Sequence, residues 1–152
     1  KQVAMGAVFF NDLMNDRIKD VEFDWDRLTT TEGDSGPYVQ YTAVRCRSLV
    51  RKFGKTVSME KAKFNQPEEQ KLVFSLLRFS EILENSFKQL KPNILAQYLL
   101  ELCSDFSHFY HKCRILGEAE EVEASRMALV VATEKILNKG IDVLNIESPE
   151  AM

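Results

Sequence analysis

Cysteine, proline, glycine and histidine are all scarce in these 152 residues, at three, four, six and two respectively. So few Pro and Gly cannot supply the many tight turns of an all-β sandwich. Cys46, Cys103 and Cys113 are odd in number and lack C-x-x-C spacing. They exclude a disulfide framework and read as reduced, partly buried thiols of a cytosolic protein. No apolar run approaches the roughly 18–20 residues that cross a membrane. A basic segment, apolar core and cleavage site are also missing from the start, so the sequence does not open on a signal peptide. It opens on Lys1 and moves at once into the apolar pattern Val3, Ala4, Ala7 and Val8. That reads as a piece of a longer polypeptide.

What is present is enough to fold. Hydrophobic residues make up 45% and charged residues 28%, which excludes intrinsic disorder. The length suits one compact domain, or one domain with an appended piece. A formal net charge of −3 at first argues against nucleic acid, but net charge hides distribution. Residues 1–34 carry 4 basic and 8 acidic groups, and residues 64–152 carry 9 and 14. Between them, residues 41–63 hold Arg45, Arg47, Arg51, Lys52, Lys55, Lys61 and Lys63 against Glu60 alone. A basic strip therefore sits between two acidic flanks. It is either a solvated helix face or an anion-binding surface.

The apolar spacing is helical nearly throughout, and it predicts an all-α bundle of four or five helices. From Pro92 to Leu116, the positions Leu95, Tyr98, Leu99, Leu102, Phe106, Phe109 and Cys113 step by three or four along one stripe. Pro92 suits the start of that helix and Gly117 its stop. Residues 67–90 read as one or two helices through Val73, Leu76, Leu77, Leu83, Phe87 and Leu90, with a possible restart near Ser80. Residues 122–145 form another through Met127, Val130, Leu137, Ile141 and Leu144, weakened by Gly140.

The one concentrated turn region is 31–37, where Asp34 or Ser35 can cap the next helix and Pro37 fits its first turn. In that helix Val39, Ala43, Cys46, Val50 and Phe53 share one face. Tyr38, Tyr41, Arg45 and Lys52 share another, roughly 130° away. One face can enter a core while the other presents two phenol rings and two cations. Rings stack on unpaired bases and cations meet phosphates. The same tyrosines also fit the ordinary boundary of a helical bundle, and the periodicity alone leaves both readings open.

Catalytic chemistry is lacking. There is no G-x-G-x-x-G or Walker loop, and Ser104 and Ser107 share a helix with His108 with nothing to orient them as nucleophiles. Asp105, His108 and His111 give half of a bundle metal motif, but no second copy exists, so no metal site is expected. Glu120, Glu121 and Glu123 suit a helix N-terminus.

The string from Phe23-Asp24-Trp25-Asp26-Arg27-Leu28 through Glu32-Gly33-Asp34-Ser35-Gly36-Pro37-Tyr38-Val39-Gln40-Tyr41 to Arg45 closely resembles arginyl-tRNA synthetases, which carry "WDR…EGDTGPYLQY" there. The resemblance continues through Phe106–Arg114, similar to "F..FY..C.V", and through 124–129. It ends at Gly140–Ile146 and Pro149-Glu150-Ala151-Met152, similar to "LLGI..PERM". It covers essentially the whole chain in order.

The resemblance implies a C-terminal piece of a class I arginine–tRNA ligase. Residues 1–34 would be a stub of the catalytic region with its connecting turn, and residues 35–152 the helical DALR anticodon-binding domain. The intact enzyme would use ATP with Mg, arginine and tRNA(Arg). The family's His-x-Gly-His and KMSKS-type motifs are missing here, so this piece should bind without catalysing and needs no cofactor of its own. Its expected partners are tRNA(Arg) and the catalytic domain of the same polypeptide, with no membrane. A cytoplasmic monomer is expected. By the same resemblance Tyr38, Tyr41, Arg45, Tyr110 and Met152 would face the anticodon, and Glu32, Gly33, Asp34, Gly36 and Pro37 form the turn that supports the helix. Arg47, Arg51 and Lys52 are candidate phosphate contacts. Ser35 replaces the usual Thr, Asn145 a common Gly and Ala151 the penultimate Arg, and the name-giving motif is degenerate as Glu123-Ala124-Ser125-Arg126. The alternative from another class is a helical protein-interaction module with no RNA affinity, the tyrosine face docking a partner helix.

Overall fold

A computed structural model describes residues 2–18, 24–31, 33–58 and 62–152, apart from the Arg27 side chain. Among them are seven helices and no strand. They are α1 (Gln2–Met14), α2 (Trp25–Thr29), α3 (Gly36–Phe53), α4 (Pro67–Leu77), α5 (Phe79–Gln89), α6 (Pro92–Lys112) and α7 (Glu120–Val143). None is long and apolar enough to cross a membrane. The all-α expectation holds. The helix count exceeds four or five because α1 and the single-turn α2 precede the main bundle and the 67–90 segment divides at Arg78.

The core lies where α3, α6 and α7 meet. Val39, Ala43 and Cys46 of α3 pack with Leu95, Leu99, Leu102, Phe106 and Phe109 of α6 and with Met127, Val130, Leu137 and Ile141 of α7, all buried. Phe10 of α1 is buried in the same cluster, so the expected stub shares one core with the rest. Close approaches make this possible. A Cβ on Gly36 would lie 2.5 Å from the Gly6 carbonyl oxygen and 2.7 Å from Phe10 Cβ. A Cβ on Gly140 would lie 2.5 Å from Leu99 Cδ2. Gly140 therefore does not merely weaken α7; it lets α7 cross α6.

Helix ends follow local chemistry. Ser35 caps α3, its hydroxyl accepting from the Tyr38 N–H at 3.1 Å and donating to the Thr30 carbonyl. That settles the choice between Asp34 and Ser35 and shows why a hydroxyl suffices where the family has Thr. Gly54 closes α3 at φ 63, a conformation cheap only for glycine. Asn145 ends α7 at φ 57, with the Ile146 N–H on the Ile141 carbonyl at 3.0 Å. The common Gly there answers to the same left-handed turn, which Asn also tolerates.

Two expectations shift. Gly117 is not the stop of α6, which ends at Lys112. The chain leaves the helix early to bury Cys113 and Ile115, and Gly117 turns it at φ 82 toward α7, where Glu123 accepts from the Gly117 N–H at 2.7 Å. In 67–90, Leu77, Phe87 and Leu90 are exposed. Val73, Leu76 and Leu83 pack against the core as expected, and the fully buried residues of α4 are Glu69, Leu72 and Ser75, with α6 and α7 offering polar partners to Glu69 and Ser75. Tyr98 Oη donates to the Ser75 carbonyl at 2.9 Å, and Ser75 Oγ donates to Asp105 at 2.6 Å. Glu69 accepts from the Asn65 and Gln66 N–H groups at 2.8 and 2.9 Å. It also pairs with Arg126 Nε at 2.7 Å, with only 3% and 11% of the two side chains exposed. Arg126 Nη1 reaches the Arg114 carbonyl at 2.6 Å. The degenerate motif thus spends its arginine on tying α4, α7 and the 113–117 turn together.

Removing one member of a buried, hydrogen-bonded ion pair leaves the other uncompensated. Glu69→Ala is expected to lower unfolding stability by about 3 kcal/mol in denaturant titration. Gly36→Ala should lose about 1–3 kcal/mol by forcing α1 off α3. Burial pushes the Cys103 thiol up to about 12, and burial also raises Cys46, Tyr38 and Tyr98. The unfolded chain releases these protons first, so stability is complete below the ordinary thiol range and falls as pH rises above it. Thermal melts at about pH 7 and 10 should show a clear drop in Tm.

Candidate nucleic-acid interface

The outer strip of α3 and the last two turns of α6 build one site. Cysteine, alanine and valine fill the inward face of α3, so Tyr38, Tyr41 and Arg45 emerge beside α6. Tyr38 is half-buried at the core margin. Burial raises its phenol above the ordinary value, and a side-chain hydrogen bond with Ser107 opposes that. Arg45 Nη2 donates to Tyr41 Oη at 2.8 Å. Its Cζ lies 4.7 Å from the centre of the Tyr41 ring and 4.9 Å from that of Tyr110. Each ring contact contributes about 0.5–1 kcal/mol at an exposed site. Tyr110 is 37% exposed; buried Phe106 lies against it at 6.2 Å and His111 meets it edge-on at 5.8 Å. Chemically, this is a pair of phenol rings bracketing a cation, open to solvent: suited to planar bases and anionic phosphates.

The structure brings Tyr41, Arg45 and Tyr110 together, with Tyr38 beside them. It does not bring Arg47 there. Two residues on from Arg45, Arg47 points about 160° away around α3 and spends its guanidinium inside the chain. It pairs with Glu134 at 3.3 Å and donates to Asn138 Oδ1 at 3.1 Å and to the Pro149 carbonyl at 2.9 Å. Gln40 Nε2 donates to the Glu147 carbonyl at 2.7 Å, so both residues hold down the tail that leads to the exposed Met152. Arg51 and Lys52 are exposed on the last turn of α3. In the turn, Gly33 takes φ 72, Asp34 is exposed, and Gly36 and Pro37 are buried; Glu32 lies outside the described residues. The basic strip is therefore divided between an outward and an inward side, and Lys61 and Glu60 also lie outside the described residues.

The sequence does not point to Phe106, Ser107 and His111 as parts of this site, but they stand at four, three and one residues from Tyr110. Phe106 and His111 lie against its ring and Ser107 hydrogen-bonds to Tyr38. Asp105 takes no part with the histidines. Lys71 holds it at 2.7 Å, while His108 Nδ1 lies 2.8 Å from the Ser104 carbonyl. Among the described residues no group of three or more His, Cys, Asp or Glu is placed to hold a metal ion.

Residues 39–152 match the family described as the DALR anticodon binding domain. The chain belongs to that family. The chain is 34% identical over 154 residues to the arginine–tRNA ligase of Alkaliphilus metalliredigens, covering 100% of this chain and 27% of that protein. It is 39% identical over 156 residues to the enzyme of Mannheimia succiniciproducens, covering 99% and 27%. Among solved structures, the arginyl-tRNA synthetase of Thermus thermophilus superposes with a TM-score of 0.90 at 32% identity, over 99% of this chain and 27% of that one. The chain thus spans 27% of the length of these curated relatives.

The division of labour between neighbouring arginines of the DALR domain is testable. Arg47→Leu should lower stability by about 1–3 kcal/mol, since Glu134 and the Pro149 carbonyl lose a charged partner. It should also speed hydrogen exchange at residues 146–150. Arg45→Leu should leave stability within about 1 kcal/mol of wild type and leave tail exchange unchanged.

Proposed function

We propose that this DALR domain reads the anticodon loop of tRNA(Arg) as part of a cytoplasmic, monomeric arginine–tRNA ligase. The observation that carries this reading is the Tyr41–Arg45–Tyr110 cluster. Two rings bracket a guanidinium at 4.7 and 4.9 Å on the outward strip of α3, within a chain of the anticodon-binding family. An unstacked base packs against Tyr110 and the Tyr38/Tyr41 strip, with Met152 at the end of the anchored tail closing the same surface. Arg45, Arg51 and Lys52 meet phosphates. Arg47 instead holds the tail, and Gly33 to Pro37 set where α3 begins.

Residues 35–152 form the anticodon-binding domain, and residues 1–34 join it to the catalytic body of the same polypeptide. Activation of arginine with ATP and Mg, and its transfer to tRNA, belong to that body. The chain's own residues bind and orient. Exposed Met5, Val8, Phe9 and Trp25 suit a contact between the N-terminal piece and a neighbouring domain.

Binding of a labelled arginine-tRNA stem-loop, beside one with a mismatched anticodon, tests the reading. Tyr110→Ala should weaken binding by about tenfold, since stacking contributes about 1–3 kcal/mol per base. Arg45→Ala should weaken it and reduce the magnitude of the salt slope by about one phosphate contact. Equal affinity of both variants and wild type across a salt titration would show the site to be misassigned. Salt-insensitive association with a protein partner and no stem-loop affinity would favour the protein-interaction alternative.

A further inference from the structure

The last turn of α6 carries a group that the tyrosine cluster does not use. His111 is exposed, and its ring meets the edge of Tyr110 at 5.8 Å. Together with Lys112 it forms the basic end of α6, where the negative end of the helix dipole favours a cation. His108 stands one turn earlier and is also exposed, but its Nδ1 is engaged at 2.8 Å by the Ser104 carbonyl.

Histidine is the side chain whose charge changes in the physiological range. As a neutral ring, His111 offers Tyr110 only an aromatic edge. As an imidazolium, it adds a cation at the rim of the site. A nucleotide stacked on Tyr110 would run its sugar-phosphate backbone past the neighbours of that ring, which are Arg45, Phe106 and His111. Of these, His111 is the exposed one on the last turn of α6.

We propose that His111 is a proton-controlled contact to the RNA backbone at the rim of the Tyr110 site, so that the domain grips its RNA loop more tightly below neutrality than above it. The proposal rests on the RNA-binding reading of the same site. The charged and titratable groups around His111 agree with it. Arg45 and Tyr41 of α3 lie across Tyr110, and Lys112 and His108 flank it on α6. The nearest acid on that helix, Asp105, is turned to Lys71 and Ser75. The groups named around His111 are therefore cationic or aromatic, and none of them is an anion that would occupy its imidazolium. A phosphate supplies that anion. RNA binding then favours proton uptake, and by linkage a lower pH favours RNA binding.

The test uses the chain as it stands, with the arginine-tRNA stem-loop as probe, at about pH 6 and 8 and fixed salt. Wild type is expected to bind about fivefold more tightly at the lower pH, with a salt slope larger by about one contact. His111→Gln should bind equally at both values, and His111→Lys tightly at both. His108→Gln should keep the wild-type dependence. Circular dichroism of each variant checks that the exposed substitution leaves the fold intact. NMR titration of the His111 ring, free and RNA-bound, supplies a second readout: the bound form should keep its proton to higher pH. A flat wild-type profile, or wild-type dependence retained in His111→Gln, overturns this proposal and leaves the RNA reading standing. No stem-loop binding by wild type at either pH overturns both.

Discussion

The rest of this domain depends on α3 being occupied on nearly every side. Its start is pressed against α1, with Gly36 so close to Gly6 and Phe10 that no side chain fits between. Its inward face, Val39, Ala43 and Cys46, is sealed by α6 and α7. A third side is taken by the tail, which Gln40 and Arg47 grip through the Glu147 and Pro149 carbonyls. What remains is one strip, and Tyr38, Tyr41, Arg45 and Lys52 lie along it. The strip stays outward because most other directions of the helix are already filled.

That packing also explains how chemically similar residues come to do different work. Arg45 and Arg47 are two positions apart, yet one lies between the half-buried Tyr41 ring and the exposed Tyr110 ring, and the other between Glu134 and the Pro149 carbonyl. Arg126 is a third case, locked to Glu69 in a nearly dry contact. A guanidinium directed at carboxylate and carbonyl oxygens of its own chain is turned away from the outward strip and held in place. One bracketed by rings at the surface keeps its charge available. The local surroundings, and not the residue type, separate the outward Arg45 from the architectural Arg47 and Arg126.

Much of this was legible from local pattern. Asp34 or Ser35 with Pro37 marks the start of α3, the three-and-four spacing marks α6 and α7, and the helical wheel isolates the strip of Tyr38, Tyr41, Arg45 and Lys52. Other features were not. In the 67–90 stripe Val73, Leu76 and Leu83 pack against the core as their spacing predicts, while Leu77, Phe87 and Leu90 are exposed. Glu69 and Ser75 of α4 are buried, with Arg126, Asp105 and Tyr98 as partners. Gly117 looked like a helix stop because a glycine after a helical run usually is one. Here the burial of Cys113 and Ile115 pulls the chain out of the helix first.

The sequence by itself determined the helical class, the starts of α3 and α6 and the family to which the chain belongs. These rest on interactions within a few residues along the chain, where spacing is a direct measure of geometry. Only the tertiary structure decided which arginine faces outward, that α1 shares the core, and that Tyr110 meets Arg45 from a helix more than sixty positions away. Those outcomes depend on which surfaces compete for burial once the helices meet. The scarcity of glycine set those terms: two of its few copies, Gly36 and Gly140, stand where helices cross too closely for any side chain.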